Sequence, residues 1–444
     1  MLKAFLTAYD PSDLPGGSID PMGFERGYLF LADKILPGLT NVASRPRYFG
    51  LLCAGVFLAD VRDDMSPQSQ YRCRLDAVLR AERVWALANI LASREEGDDD
   101  LPSSGIRGVT YATRYANELL ERGASKARAD YRLLSRQMQY GVIGMYGNVA
   151  DGMRLLERRS LSLSPALGEQ LGEAFIKGTR MPAKLRKAVQ EEDVDIPLTT
   201  LVKWGAEAHV TGQVTRDEAK CLYECLNMNP VRSRMVDVLE RNPYKNESDT
   251  EIARMGRITR ALESTSENAD LREATAAICS YEGCYRLVQL GFERILWLCR
   301  QHPAGAVPLA DLRTDDVFEH VAEHLPPSVS RLQQILDSPD TEAFRQGLDR
   351  LNDIRAFLKE AVQACEHADE LAMAMLKRHT DVQHGKFDKG RRKMPWVENR
   401  DGHIRLTTAR VGGLNREATT VDDIAAHPYR LSSADALIEA GRMA

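Results

Sequence analysis

The sequence predicts a mainly α, multi-unit helical protein that ends in an irregular basic C-terminal tail. Three observations carry this expectation. Apolar residues recur at three- and four-residue spacing through most of the first 380 positions, the signature of one-sided helices. The 444 residues exceed what one hydrophobic core fills, so several packed units are expected. From Lys377 to Lys393 the chain then gathers seven Lys/Arg against two Asp, a local charge of +5 in a protein of net charge -5. With 43% hydrophobic and 28% charged residues the chain belongs among folded globular proteins, and its acidic balance confines any nucleic-acid contact to a local patch.

Five segments follow in order. Residues 1–100 form an N-terminal helical unit. Asp20 and Pro21 suit an N-cap and a first turn, Phe24, Tyr28, Leu31 and Ile35 make the first apolar stripe, and Pro37-Gly38 ends it. Ser44 can cap the second helix, with Tyr48, Phe49, Leu52, Cys53, Val56 and Phe57 facing inward. A third helix over residues 68–93 carries Leu75, Val78, Leu79, Trp85 and Leu91. It runs into Glu95-Glu96-Gly97-Asp98-Asp99-Asp100 and Pro102-Ser-Ser-Gly105, the strongest boundary signal in the chain. Residues 101–190 form a second unit, 191–305 a third that closes on His302-Pro303, and 306–380 a helical bundle with a helix over 342–379. The tail, residues 381–444, holds one strand candidate at His403–Thr407 and a last helix from Ser432 or Ser433. It buries too little apolar surface to fold alone, so it is expected to dock through Trp396 and Tyr429.

Eight Cys lie mostly inside apolar helical patterns and read as thiols packed in a reducing compartment, without a disulfide framework. The opening Met1–Asp10 is too soon interrupted for an export signal, and Glu282, Arg286, Glu293 and Arg294 punctuate the apolar stretch 273–299. A cytoplasmic protein with no membrane partner is therefore expected.

Candidate nucleic-acid-binding residues are Lys377, Arg378, His379, His384, Lys386, Lys389, Arg391, Arg392, Lys393 and Trp396. Cations after a helix C-terminus are electrostatically welcome, Gly385 and Gly390 permit close backbone approach, and Phe387, Trp396 and the two His offer stacking faces. Such arrays also occur as plain solvated surface. Arg45 and Arg47 add a second group. Cations at a helix start need a counter-anion, either a phosphate or an internal carboxylate such as Asp33 or Asp60.

Residues 131–176 read as a helix ending in Leu155-Leu156, a short gap, a strand-like Leu161-Ser-Leu163, and a helix capped by Ser164-Pro165. This order resembles the winged-helix domains of bacterial regulators, over about a tenth of the chain, and it implies a winged-helix-like unit within the helical fold. Its phosphate-facing candidates are Arg154, Arg158 and Arg159, although the same fold also serves as a packing module. The run Pro37-Gly-Leu-Thr40 to Arg45-Pro-Arg47-Tyr-Phe49 resembles a segment of uncharacterised bacterial proteins encoded among phage-defence genes. That likeness implies a defence-associated role and no particular activity.

His320-Val-Ala-Glu323-His324 matches the His-x-x-Glu-His pattern of inverzincin metallopeptidases, with Glu398 or Asp401 as a conceivable third ligand. Pro326-Pro327 is expected to cut that helix, and the strands of an inverzincin sheet are missing. Gly141-Val-Ile-Gly144 and Gly412-Gly413 lack a strand-turn-helix setting, so no cofactor is expected. Three readings result. The first is a non-enzymatic component of a bacterial multi-protein assembly that binds DNA or RNA. The alternatives are an interaction scaffold that docks an acidic partner subunit, and a zinc hydrolase using His320, Glu323 and His324.

Overall fold

The computed structural model describes residues 20–95, 105–246, 248–263, 268–302, 304–388, 391–407 and 417–442. Expectations placed on Met1–Asp10, Gly97, Pro102, Pro303, Lys389, Gly390 and Gly412-Gly413 fall outside them. The described residues are mainly α, with eighteen α-helices and only small sheets. They divide into two compact units that cut across the five sequence segments, one of residues 1–34 and 244–429, the other of residues 35–243 and 430–444.

The first unit is built on the 33-residue helix Ala269–Gln301, which packs against Glu251–Leu262, Asp316–Asp337 and Ala368–His384. Its charges stay because each finds a partner. Glu282, fully buried, accepts from the Tyr429 hydroxyl at 2.7 Å and from His427 Nδ1 at 2.6 Å, and Arg294 pairs with Asp315 at 2.9 Å. No described helix is long and apolar enough to cross a membrane. Asp20 caps as expected, accepting from the N–H groups of Gly23, Phe24 and Glu25, but the helix starts only at Glu25 because a turn with Gly23 at φ +77° intervenes.

Pro326 and Pro327 do not cut their helix, which runs unbroken from Asp316 to Asp337. The carbonyls they leave without an N–H, on Ala322 and Glu323, belong to half-buried and exposed residues that water can reach. The buried stripe Val321, Leu325, Val329, Leu332 and Leu336 holds the helix in place across the gap. The expected strand at 403–407 forms as His403–Leu406, the centre of a three-stranded antiparallel sheet with Ala306–Pro308 and Val397–Arg400.

The second unit is organised by the helix Pro67–Glu95, which packs against Arg47–Phe57, Val109–Glu121, Ala183–Gln190 and Leu198–Glu207. Gly205 lets the last of these come so close that a Cβ there would stand 2.0 Å from the Ala88 carbonyl. The segments on either side of the acidic run thus share one unit. Ser44 does not cap the second helix. Pro46 is its N-cap residue, and a tight turn satisfies the Tyr48 and Phe49 N–H groups through the carbonyls of Arg45 and Pro46. Phe57, expected inside, is 44% exposed at that helix's last position. The helix expected to end in Leu155-Leu156 ends at Gly152, and Leu156–Glu157 pairs instead with Ser162–Leu163 as a short hairpin ahead of the helix Gly168–Gly178. The terminal helix, Leu431–Gly441, packs against Arg216–Asn227 and Pro230–Arg241. All eight Cys are free.

Candidate nucleic-acid interface

The basic segment begins on the helix Ala368–His384. Its buried stripe of Leu371, Ala372, Met375 and Leu376 continues at helical spacing to His379 and Gln383, so these polar residues face the core. His379 is fully buried. Its Nδ1 lies 3.0 Å from the Pro21 carbonyl, and its Nε2 accepts the Trp396 backbone N–H at 2.8 Å. That assigns the neutral tautomer protonated on Nδ1, and burial pushes the pKa down to about 4. Arg378 is also buried, donating to the Met22 carbonyl at 2.9 Å and to Asp353 at 2.7 Å while its guanidinium covers the Phe357 ring. Arg378 and His379, expected among the phosphate contacts, are thus internal fasteners. Lys377 is exposed but paired with Glu360 at 2.7 Å.

Gly385 closes the helix, its N–H reaching the Asp381 carbonyl while the Lys386 N–H reaches that of Gln383. Phe387–Asp388 then pairs antiparallel with Arg391–Arg392, setting Phe387 opposite Arg392, and the Lys393 N–H extends the ribbon to the Lys386 carbonyl. Lys386 donates from Nζ to the Asp20 carbonyl at 2.6 Å, and burial lowers its pKa. Arg391 is described only in its backbone. His384 and Arg392 are exposed, Lys393 is half-buried, and neither Arg392 nor Lys393 has an ion-pair partner among the described residues. Phe387 and Met394 are 62% and 71% exposed, the two most exposed large apolar side chains among the described residues. Trp396 is half-buried, its ring 5.2 Å from that of His379 and 6.3 Å from that of Phe292, so it braces the hairpin's base and its stacking face is in use.

Arg400, His403 and Arg405 are further exposed basic residues that the sequence reading did not single out. The strand register sets Arg400 opposite His403 and Arg405 opposite Glu398, all on the outer face of the three-stranded sheet. The alternation of His403 and Arg405 around buried Ile404 was the available signal.

In the second unit Arg47 is buried, and its counter-anion is Glu218 at 3.0 Å rather than Asp33 or Asp60. It also donates to the carbonyls of Gly212 and Gln213, so it too is structural. Arg45 is half-buried, with no ion-pair partner among the described residues. Arg154 is exposed in a left-handed turn at φ 58°, and Arg159 is exposed in the turn of the hairpin beyond it. Arg158 is half-buried and fills the space a Cβ at Gly147 would take, with its Nε buried and unbonded among the described residues.

His320 and His324 stack with ring centroids 4.2 Å apart, and His324 Nδ1 lies 2.9 Å from the His320 carbonyl. Among the described residues no three His, Cys, Asp or Glu side chains gather where they could hold a metal, so neither Glu398 nor Asp401 completes a site with this pair. What the hairpin can do chemically is bind: it offers cations, an aromatic face and a flexible thioether side by side. No protein-family model, curated protein or solved structure matches this chain.

Proposed function

We propose that the protein binds nucleic acid through the hairpin of residues 386–394, without catalysing a reaction, as a component of a larger protein assembly. The observation that carries this reading is the exposure of Phe387 and Met394 on a ribbon that also presents Arg392 and Lys393. Folding leaves large apolar side chains in water at a cost that a binding partner recovers. Cations next to an unoccupied aromatic face suit a phosphate backbone and its bases, as stacking platforms on single strands do. Arg400, His403 and Arg405 would widen the basic surface. The order of helix Val142–Gly152, short hairpin and helix Gly168–Gly178 supports a winged-helix-like unit, with Arg154 and Arg159 as additional phosphate contacts. A role in anti-phage defence rests on the twenty-residue resemblance alone.

Filter binding to single- and double-stranded DNA and RNA across a salt series tests the reading. Arg391, Arg392 and Lys393 changed together to Ala should weaken binding and flatten the salt slope by about one unit per lost phosphate contact. Phe387→Ala should weaken single-strand binding by about 1–3 kcal/mol, the range for one stacked base. Unchanged affinity and slope in both variants, or no binding by the parent protein, would refute it. An acidic protein partner predicts the second of these results.

A further inference from the structure

A second concentration of positive charge lies in the other unit, around residues 107–139. The segment from Arg107 to Arg136 holds seven Lys/Arg against Glu118, Glu121 and Asp130. Arg114 and Arg132 bring their guanidinium groups within 5.7 and 5.6 Å of the same Tyr111 ring centroid. Both are exposed, and neither has a carboxylate partner among the described residues. Exposed guanidinium groups without a carboxylate partner are available to an anion.

Beside this pair the loop 130–139 folds over the helix Pro67–Glu95 to make a cavity of about 640 Å³, within the range of small-molecule sites. Arg83, Arg132 and Arg136 contribute to its wall. Its one carboxylate, Asp130, is already turned to Arg128 at 3.3 Å. Leu79, Leu134 and Met138 supply an apolar stretch of the same wall, Met138 being 44% exposed. The loop itself is held firmly: Gln137 is buried and donates from Nε2 to Glu82 at 2.8 Å, and the Tyr131 hydroxyl donates to the Arg83 carbonyl at 2.7 Å. A cavity that is cationic along one stretch, apolar along another and rigid in its frame fits one chemical class well.

We infer that this cavity binds a nucleotide, its phosphates on Arg132 and Arg136 and its base against Leu79, Leu134 and Met138. The site is separate from the hairpin and does not depend on it. Titration calorimetry of the full chain at low salt with ATP, pyrophosphate and adenosine tests it. ATP should bind, pyrophosphate should bind more weakly, and adenosine should bind weakest. The double variant Arg132→Ala/Arg136→Ala should weaken ATP at least tenfold. Met138→Asp should weaken ATP while leaving pyrophosphate within twofold. The hairpin triple variant should bind ATP as the parent does. No ATP binding by the parent protein, or equal ATP affinity in parent and Arg132→Ala/Arg136→Ala, would overturn the inference. Equal loss of ATP and pyrophosphate in Met138→Asp would overturn its base-binding half.

Discussion

His379 ties the hairpin's base to the start of the described chain, and the tie depends on its staying neutral. Its Nδ1–H is committed to the Pro21 carbonyl and its Nε2 lone pair to the Trp396 N–H, so a second proton would replace an acceptor with a buried charge. Burial holds the folded-state pKa at about 4 against an ordinary 6.5. The unfolded chain therefore takes up a proton between pH 6.5 and 4 that the folded chain refuses, so stability is complete above that window and falls as the pH is lowered through it. Between pH 7 and pH 4.5 the loss works out at about 2 kcal/mol, from 1.4 kcal/mol for each unit of pKa difference traversed. The assay is urea unfolding at several pH values, read from the ¹⁹F signal of 5-fluorotryptophan at position 396 in the parent and in His379→Gln, which cannot titrate. Over that interval the parent should lose about 2 kcal/mol more than the variant. Parallel pH curves would show that the folded chain protonates His379 as readily as the unfolded one, and the account of the hairpin's anchorage would fail.

Three further outcomes are expected. Trp396→Ala should cost about 2 kcal/mol, roughly half the loss for a fully buried aromatic, and should open residues 386–407 to trypsin; equal cleavage of parent and variant would place the anchor elsewhere. Glu218→Ala strands the buried Arg47 guanidinium and removes the acceptor of the Thr215 N–H, so thermal unfolding should report a loss of about 3–5 kcal/mol, and a loss under about 1 kcal/mol would refute the pair's structural role. Elemental analysis should find zinc well below one equivalent, unchanged in His320→Ala, since His324 Nδ1 is turned to the His320 carbonyl; stoichiometric zinc lost in that variant would restore the hydrolase reading.

The candidate site was legible in its location more than in its members. Leu371, Met375 and His379 recur at four-residue intervals, and Leu376 and Gln383 share that face, so the sequence carried the signal that His379 points inward. Charge and periodicity conflict at this point, since Lys377 is exposed while the adjoining Arg378 and His379 turn into the core. The hairpin's two-residue strands were too short to register as alternation. For the Arg132 and Arg136 cavity, only the composition of residues 107–136 pointed to a basic surface.

Helical class, the Gly38 stop, the Asp20 cap and the strand at His403–Leu406 followed from local chemistry, because each depends on residues within a turn or two of one another. Tertiary contacts alone decided the rest. Glu218, distant in sequence, was chosen as the partner of Arg47, and the buried stripe of Asp316–Asp337 carried that helix past two prolines that local propensity would have stopped at. Exposure of Phe387 and Met394 is likewise a tertiary outcome: an apolar side chain goes inside only where other parts of the chain arrive to cover it, and at this hairpin the described chain leaves both open to water.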